Sequence, residues 1–294
     1  MTDSKSVPDF KITKAVVPAA GRGTRLLPAT RSQPKEMLPV GRKPTIQHVV
    51  EELATAGLQE VLLISGQGKR AIEDHLDRDA GANDTGEAAW AGLHFFHARQ
   101  SVPRGLADAI GIAEPFAAGH PFVVALGDSI LVSRSPEPVL KRMIQVHEQH
   151  RPAATIAVEA VPHDSVNRYG IVAPEGEPDH VFSIRDIVEK PSPSKAPSNL
   201  AAAGRYVLEP AIFDAIRRTE PGKGGELWLT DALRILLREG GKILCVRLRK
   251  GEHRLDIGNF ESYFRAFFEI GLSDPEHGQS LRAWLKRRLS RSDK

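Results

Sequence analysis

Residues 16–25, VVPAAGRGTR, join a short apolar segment to two glycines and two arginines. The apolar residues of segment 14–19 predict a buried strand, because short apolar runs before a glycine turn are typical of parallel sheets. The backbone N–H groups of such a turn can surround phosphate oxygens. The stretch therefore predicts a phosphate-binding loop at the end of the first strand.

Two familiar phosphate loops fit this stretch poorly. A dinucleotide site has the pattern G-x-G-x-x-G, whose third glycine lets a helix pack closely on the strand. Gly21 and Gly23 match its first two glycines, but Leu26 occupies the third position and Pro28 follows soon after. No segment matches the P-loop pattern G-x-x-x-x-G-K-[ST]. These departures disfavour both a P-loop enzyme and an NAD-linked dehydrogenase.

The cations around the loop favour a nucleoside triphosphate instead. Arg22, Arg25 and Lys35 all lie within the stretch GRGTRLLPATRSQPK. Arginine can bind phosphate oxygens in a bidentate manner, and several fixed cations offset the charge of a phosphate chain. We therefore expect this loop to hold a triphosphate.

The composition excludes several other classes of protein. The chain has 294 residues, of which 41% are hydrophobic and 26% charged, as in ordinary globular proteins. Its net charge of +3 is too small to indicate nucleic-acid binding. No apolar run approaches the roughly 20 residues of a membrane span. With one cysteine, Cys245, and a polar N-terminus, we expect a cytoplasmic protein with neither nucleic acid nor membrane as a partner.

Strand-like and helix-like segments alternate along the first half of the chain, which predicts an α/β protein with a mostly parallel sheet flanked by helices. The predicted strands there are 14–19, 60–65, 93–98 and 121–126, and the helices are 45–57, 69–77, 105–116 and 137–150. Residues 78–92 predict a loop. The second half is a mixture of strands and helices and ends in two helices, at 259–272 and 279–290.

Residues 19–44, AAGRGTRLLPATRSQPKEMLPVGRKP, resemble the signature of the sugar-1-phosphate nucleotidylyltransferases, G-x-G-T-R-L-x-P-x-T followed by P-K. The form PKEMLPV is most similar to the bacterial UTP–glucose-1-phosphate uridylyltransferases, and the resemblance extends from about Lys14 to Leu289. It implies a Rossmann-like sheet of the nucleotide-diphospho-sugar transferase type. It also implies a Mg²⁺-dependent reaction in which UTP and glucose 1-phosphate give UDP-glucose and pyrophosphate.

The resemblance also implies how the chain is organised. We expect a single domain over residues 1–294, because the Pro/Ser-rich segment 192–199 lies inside the second half and does not resemble a linker. Residues 11–150 would form the nucleotide-binding half and 151–257 a smaller, mixed α+β sugar-binding half. The C-terminal helices within 258–294 include an aromatic-rich segment, which suggests a subunit interface in a homodimer or homotetramer.

Charged residues receive chemical roles from the same resemblance. It implies that Arg25 neutralises the triphosphate and the leaving pyrophosphate, while Lys35 bridges the nucleotide and the sugar phosphate. It implies that Lys190 holds the sugar phosphate. Asp128 follows an apolar strand and Asp256 precedes a glycine turn, and both match the family's metal-binding aspartates. Two carboxylates together with phosphate oxygens and waters suit Mg²⁺.

Small residues, one amide and one carboxylate complete the predicted site. The sugar is expected against Gly170, Glu189 and Gly204, because glycines allow close approach and the carboxylate can accept hydrogen bonds from hydroxyl groups. The nucleotide is expected against Ala19, Ala20, Gly21, Gly23, Gln100 and Gly105.

Residues 105–109, GLADA, depart from the G-L-G-H-A common among close relatives and are more similar to the thymidylyltransferase branch. A glucose-1-phosphate thymidylyltransferase is therefore the alternative within the family. The alternative outside it is a nucleotide-sugar-binding regulatory protein without catalysis, which the joint retention of the lysines, arginine and aspartates disfavours.

Overall fold

The computed structural model of the chain describes residues 11–77 and 89–290. The strands in these ranges are β1 (Lys14–Ala19), β2 (Pro39–Val40), β3 (Lys43–Pro44), β4 (Glu60–Ser65), β5 (His94–Arg99), β6 (Phe122–Ala125), β7 (Ser129–Val132), β8 (Ala154–Ala160), β9 (Gly170–Pro174), β10 (Val181–Glu189), β11 (Leu200–Leu208), β12 (Ile243–Arg247) and β13 (His253–Asp256). The helices are α1 (Thr45–Thr55), α2 (Arg70–Leu76), α3 (Leu106–Gly111), α4 (Glu114–Ala117), α5 (Val139–His150), α6 (Ala211–Arg217), α7 (Leu229–Arg238), α8 (Phe260–Leu272) and α9 (Gly278–Leu289).

Nine of these described strands form one sheet, in the order β5-β4-β1-β6-β11-β8-β12-β10-β9. Strands β5, β4, β1 and β6 are parallel to one another. Strand β11 runs antiparallel to both β6 and β8, and so joins the two halves of the chain within a single sheet. The predicted fold class is confirmed, with the parallel arrangement confined mainly to the first half and the sheet as a whole mixed.

Hydrophobic cores cover both faces of the sheet. In β1, Ala15 and Val17 belong to one core while Val16 belongs to the other, because successive residues of a strand point to opposite faces. Helix α1 presents Ile46, Val50 and Leu53 to the first core at helical spacing, and all three are fully buried. The alternation of strands and amphipathic helices thus produces the layered architecture that the sequence predicts.

The structure differs from the sequence prediction at several elements. The helix predicted at 105–116 is two short helices, α3 and α4, because Pro115 lacks the N–H that a continuous helix would need. The hairpin of β2 and β3, the helix α6 and the ribbon of β7 and β13 were not predicted. Most of the predicted loop at 78–92 lies outside the described residues. None of the described helices is long and apolar enough to cross a bilayer.

The carboxyl ends of the parallel strands bring the predicted site residues together. The glycine loop follows β1, Gln100 follows β5 directly, and Asp128 lies between β6 and β7. The antiparallel ribbon of β7 and β13 sets Asp256 opposite Ser129. Ligands of open α/β sheets bind at this edge, so the topology places the chemistry where such sites occur.

Candidate active site

A cavity of about 720 Å³ opens at the carboxyl ends of β1, β5 and β6. It combines glycine backbone, two arginines, a lysine and three carboxylate side chains, a polar lining that suits a charged ligand. The predicted site residues that line it are Ala20, Gly21, Gly23, Arg25, Lys35, Gln100, Gly105 and Asp128. The structure therefore gathers most of the predicted nucleotide and phosphate residues around one opening.

The glycine loop is held in shape by local contacts. Gly23 has a φ of 65°, in the left-handed region that favours glycine, and a short 3-10 turn follows at residues 24–26. The hydroxyl of Thr30 donates to the Gly23 carbonyl at 2.8 Å. Leu26, which replaces the third glycine of a dinucleotide fingerprint, is fully buried and anchors the loop. The loop is thus a compact turn and does not begin a long helix.

Lys35 and Asp128 form an ion pair at the inner end of the loop. Burial opposes the charge of Lys35, but the carboxylates of Asp128 and Glu36 outweigh it and raise the pKa of the lysine. Burial likewise opposes the charge of Asp128, yet Lys35 outweighs it and lowers the pKa of the carboxyl. Both groups are therefore charged at neutral pH. A Cβ built on Gly21 would lie 3.5 Å from Lys35 Nζ, so the ammonium lies beside the loop backbone.

Arg25 and Asp256 meet around Gly258. A Cβ built on Gly258 would lie 3.2 Å from Arg25 Nη2 and 3.1 Å from Asp256 Oδ1. The N–H of Gly258 donates to Asp256 Oδ1 at 3.1 Å, and Arg168 Nη2 lies 3.5 Å from the other carboxylate oxygen. Gly258 lines the cavity although Asp256 itself does not. The sequence showed only a glycine turn here, and the structure shows that Arg25 and Asp256 both approach it.

The ligands that this site can offer a metal ion are the carboxylate oxygens of the two aspartates. The N–H of Ile257 donates to the Asp128 carbonyl at 3.2 Å, so the chain around Asp256 is joined directly to the turn that carries Asp128. The described residues contain no group of three or more metal-ligating side chains. Mg²⁺ is commonly held by one or two carboxylates and completes its shell with waters and substrate phosphates. Two aspartates beside a phosphate loop fit that type of site.

Gln100 is a buried amide at the cavity wall. Its Nε2 donates to Asp108 Oδ2 at 2.6 Å and to the Gly105 carbonyl at 3.2 Å. Gly105 has a φ of 109°, and a Cβ built there would lie only 2.5 Å from the carbonyl oxygen of Leu227. The neighbouring backbone therefore requires a glycine at position 105, a reason that the sequence did not reveal. Gly105 also lines the cavity.

The predicted sugar-side residues form a second group. Glu189 pairs with Gly170 across β9 and β10, and Thr230 donates to Glu189 Oε2 at 3.1 Å. Lys190 Nζ lies 3.3 Å from Glu189 Oε1 and 5.8 Å from the centre of the Trp228 ring. The structure brings Gly170, Glu189 and Lys190 together, but none of the three lines the nucleotide cavity.

Ala19 and Gly204 lie away from the cavity wall. Ala19 ends β1 and is buried in the core. Gly204 has a φ of 78°, and a Cβ built there would lie 3.2 Å from Ser129 Oγ. Its carbonyl accepts from the N–H of Leu126 at 3.0 Å. The observed contacts of both residues are with protein, and their predicted contacts with ligand remain predictions.

Several residues that support the site were not identified from the sequence. Arg205 is fully buried, and its Nη2 donates to Glu52 Oε2 at 2.7 Å and to the Ser129 carbonyl at 2.8 Å. The available signal was a single arginine within the otherwise apolar strand LAAAGRYVL. Lys69 and Glu36 form a second buried ion pair, at 2.7 Å, directly behind Lys35. Nothing local in the sequence indicated that pair.

Comparison with known proteins identifies relatives of this chain. The chain is 42% identical to the UTP–glucose-1-phosphate uridylyltransferase YngB of Bacillus subtilis, over 97% of this chain and 98% of the relative. It is 40% identical to a UTP–glucose-1-phosphate uridylyltransferase of Streptococcus pyogenes, over 94% of both chains. The resemblance inferred from residues 19–44 is therefore confirmed.

Solved structures share the fold along nearly the whole chain. A UDP-glucose pyrophosphorylase in complex with UDP-glucose matches with a TM-score of 0.83 and 36% identity, covering 90% of this chain and all of that one. A UTP-bound enzyme from Acinetobacter baumannii matches with a TM-score of 0.84 and 32% identity, covering 93% and 98%. The family model described as nucleotidyl transferase matches residues 14–271. The chain belongs to the nucleotidyl transferase family.

Proposed function

We propose that the chain transfers a uridylyl group from UTP to glucose 1-phosphate, giving UDP-glucose and pyrophosphate. The observation that carries this proposal is the meeting of Lys35 and Asp128, both charged, at the inner end of a glycine loop. Relatives at 40–42% identity over nearly the full length bear the name of this activity. A putative glucose-1-phosphate thymidylyltransferase from Bacillus anthracis matches at only 26% identity, with a TM-score of 0.72 over 88% of this chain and 94% of that one. The uridylyl assignment is therefore preferred to the thymidylyl alternative.

The reaction is an in-line displacement at phosphorus. An oxygen of glucose 1-phosphate attacks the α-phosphorus of UTP, and the bond from that phosphorus to the bridging oxygen of the β-phosphate breaks. The electron pair leaves with pyrophosphate, so no covalent enzyme intermediate is needed. Catalysis of this type rests on positioning and on stabilising developing charge. The protein therefore needs fixed cations and backbone donors, which the cavity contains.

The nucleotide half supplies those cations. Lys35 stays an ammonium because its neighbouring carboxylates raise its pKa, and it lies beside the backbone of the glycine loop. We assign it to the α-phosphate and the incoming sugar phosphate. Arg25, next to Gly258, is assigned to the leaving pyrophosphate. Because Lys35 is held by Asp128 before the substrate binds, little reorganisation of this cation is needed as charge develops.

The sugar half supplies the second substrate site. Lys190 is 48% exposed and can reach toward a phosphate, while its backbone N–H is fixed by the Tyr169 carbonyl at 2.9 Å. Glu189 is oriented by Thr230 and can accept hydrogen bonds from sugar hydroxyls. Gly170 pairs with Glu189, and a Cβ built on it would lie 3.4 Å from Glu189 Oε2. The division of the chain into a nucleotide half and a sugar half remains part of this proposal.

The metal is assigned as Mg²⁺, held by Asp128 and Asp256. These carboxylates are the hard oxygen ligands that the cation prefers. When bound, Mg²⁺ supplies positive charge that offsets the repulsion between the two phosphorylated substrates. Asp128 and Asp256 would hold that charge beside the glycine loop, and the ion pair with Lys35 holds the Asp128 carboxylate in place.

The proposal includes self-association through the C-terminal helices, as a homodimer or homotetramer. Helix α8 exposes Phe264 by 53% and Phe268 by 45%, and the neighbouring α9 exposes Trp284 by 51%. A second copy of the chain would cover these apolar side chains. Light scattering should give a multiple of the chain mass that F264S/F268S reduces, and a monomeric parent protein would contradict this assignment. A cytoplasmic location, expected from the single cysteine, belongs to the same proposal.

The activity is tested by pyrophosphate release from UTP and glucose 1-phosphate with Mg²⁺. We expect Asp128→Asn to reduce kcat by about 100-fold or more, while Asp164→Asn, at an exposed aspartate, leaves it unchanged. Clear preference for dTTP would overturn the uridylyl assignment. Binding of UDP-glucose without turnover of either nucleotide would support a regulatory binding protein instead.

A further inference from the structure

We infer that Asp108 determines which base the site accepts, by fixing the orientation of the Gln100 amide. The inference rests on the proposed UTP site and adds a specificity-determining contact to it. Gln100 Nε2 donates to Asp108 Oδ2 at 2.6 Å and to the Gly105 carbonyl at 3.2 Å. Gln100, Gly105 and the following residue, Leu106, line the nucleotide cavity, so the amide lies where a base can meet it.

The orientation of the amide follows from the chemistry of its neighbours. A carboxylate and a peptide carbonyl can only accept hydrogen bonds, so both require the NH₂ end of the amide. A rotated amide would direct its oxygen at two acceptors. Asp108 also forms a surface ion pair with Arg104, whose Nε lies 3.2 Å from Asp108 Oδ1. The assignment of nitrogen and oxygen is therefore dictated by the surroundings of Gln100.

This orientation leaves the amide oxygen for a ligand. Both N–H groups of the amide are occupied by Asp108 and the Gly105 carbonyl. The remaining polar atom of the side chain is Oε1, which can only accept. The site therefore offers a fixed acceptor, and no donor from this side chain, to the edge of the base.

A fixed acceptor distinguishes the pyrimidines. Uracil carries a donor at N3–H, which Gln100 Oε1 can accept. Cytosine has an unprotonated N3 at the same place, and two acceptors would then face each other. A buried acceptor that meets the wrong edge discriminates by roughly tenfold or more. Thymine shares N3–H with uracil, so Asp108 should select against cytosine without separating UTP from dTTP.

The test is the ratio of kcat/KM for CTP to that for UTP, measured by pyrophosphate release. We expect Asp108→Ala to raise this ratio about tenfold or more, because only the longer contact with the Gly105 carbonyl, at 3.2 Å, then holds the amide, and Nε2 can turn toward cytosine N3. Asp108→Asn keeps an acceptor for Gln100 and should remain within about threefold of the parent ratio. The ratio for dTTP to UTP should not change in either variant.

A matched control separates this role from a merely structural one. Arg104→Ala removes the exposed partner of Asp108 but keeps the contact with Gln100, so its CTP-to-UTP ratio should equal that of the parent. A folded Asp108→Ala protein, with a parent-like thermal melt, whose ratio is unchanged would overturn the inference. So would an equal rise in Arg104→Ala. If the parent protein does not turn over UTP at all, the proposed function fails instead, and the two failures are distinguishable.

Discussion

Arg205 and Glu52 form an ion pair inside the protein that joins strand β11 to helix α1. Arg205 Nη2 lies 2.7 Å from Glu52 Oε2, and the arginine is fully buried. Its other N–H groups point to the Ser129 carbonyl at 2.8 Å, the Gly204 carbonyl at 3.1 Å and the Leu126 carbonyl at 3.5 Å. The Leu126 and Ser129 carbonyls flank the turn that carries Asp128. One side chain therefore holds the turn that presents the proposed metal ligand.

Removing only Arg205 should damage both stability and activity. In Arg205→Met, Glu52 keeps its charge in a largely buried position without its partner, and this should lower the free energy of unfolding by about 3–5 kcal/mol. The turn around Asp128 also loses two donors, so kcat should fall about tenfold. Urea denaturation and pyrophosphate release measure the two effects.

The double variant Arg205→Met/Glu52→Leu separates these effects. Replacing a buried ion pair by apolar residues is often neutral for stability, so the free energy of unfolding should return close to that of the parent. The carbonyls of Leu126 and Ser129 would still lack their donors, and kcat should stay low. Recovery of both quantities together would contradict a positioning role for Arg205.

Gly170→Ala should be destabilising for a specific steric reason. A Cβ built at Gly170 would lie 2.7 Å from Thr230 Cγ2, which is closer than real carbon atoms approach. We expect a loss of about 1–3 kcal/mol in the free energy of unfolding. Thr230→Ser removes that methyl group but keeps the hydroxyl that donates to Glu189.

The double variant Gly170→Ala/Thr230→Ser should therefore recover most of the loss. Thermal and urea denaturation of the two single variants and the double variant complete the cycle. If Gly170→Ala costs the same in both backgrounds, the contact with Thr230 is not the cause.

Glu252 should make the protein less stable in acid. Burial raises its pKa, but the hydrogen bonds from Arg142, the Arg249 N–H and Ser133 outweigh burial, so the folded-state pKa lies below the ordinary value. Its contribution to stability is therefore present above the unfolded pKa, about 4.3, and is lost as pH falls through the folded value.

The variant Glu252→Gln tests this dependence. It should be less stable than the parent at pH 7, because Arg142 loses a buried bidentate partner. The difference in the free energy of unfolding should shrink as pH falls below about 4. A difference that stays constant between pH 7 and pH 3 would contradict the assignment.

The thiol of Cys245 should be unreactive in the folded protein. It lies in β12, is fully buried, and burial raises the pKa of its thiol, so little thiolate forms at neutral pH. An aromatic disulfide reagent at pH 8 should label no thiol in the native protein and one thiol per chain after unfolding in urea. Rapid labelling of the native protein would show that β12 opens readily.

The local elements of this protein could be predicted from the sequence because their information lies within a few residues. The apolar run 14–19 and the helical spacing within 45–57 correspond to β1 and α1 within two residues at their ends. The cations from Arg25 to Lys35 indicated a triphosphate loop for the same reason. Asp128 was found because it lies just past an apolar strand, and strand ends of a parallel sheet converge. Gln100 was found because its amide can pair with both a donor and an acceptor of a base.

Only the tertiary structure decided which distant groups meet. The ribbon that sets Asp256 opposite Ser129 joins segments that are far apart in the chain, and the pattern of neither strand indicates which strand it pairs with. The pairing of Arg205 with Glu52 is likewise invisible in either segment alone. Side-chain periodicity specifies how a segment buries its own apolar face, whereas ion pairs and close approaches depend on the packing of segments far apart in the chain. The reactive residues could therefore be predicted from local motifs, whereas the ion pairs and close contacts that hold them in place could not.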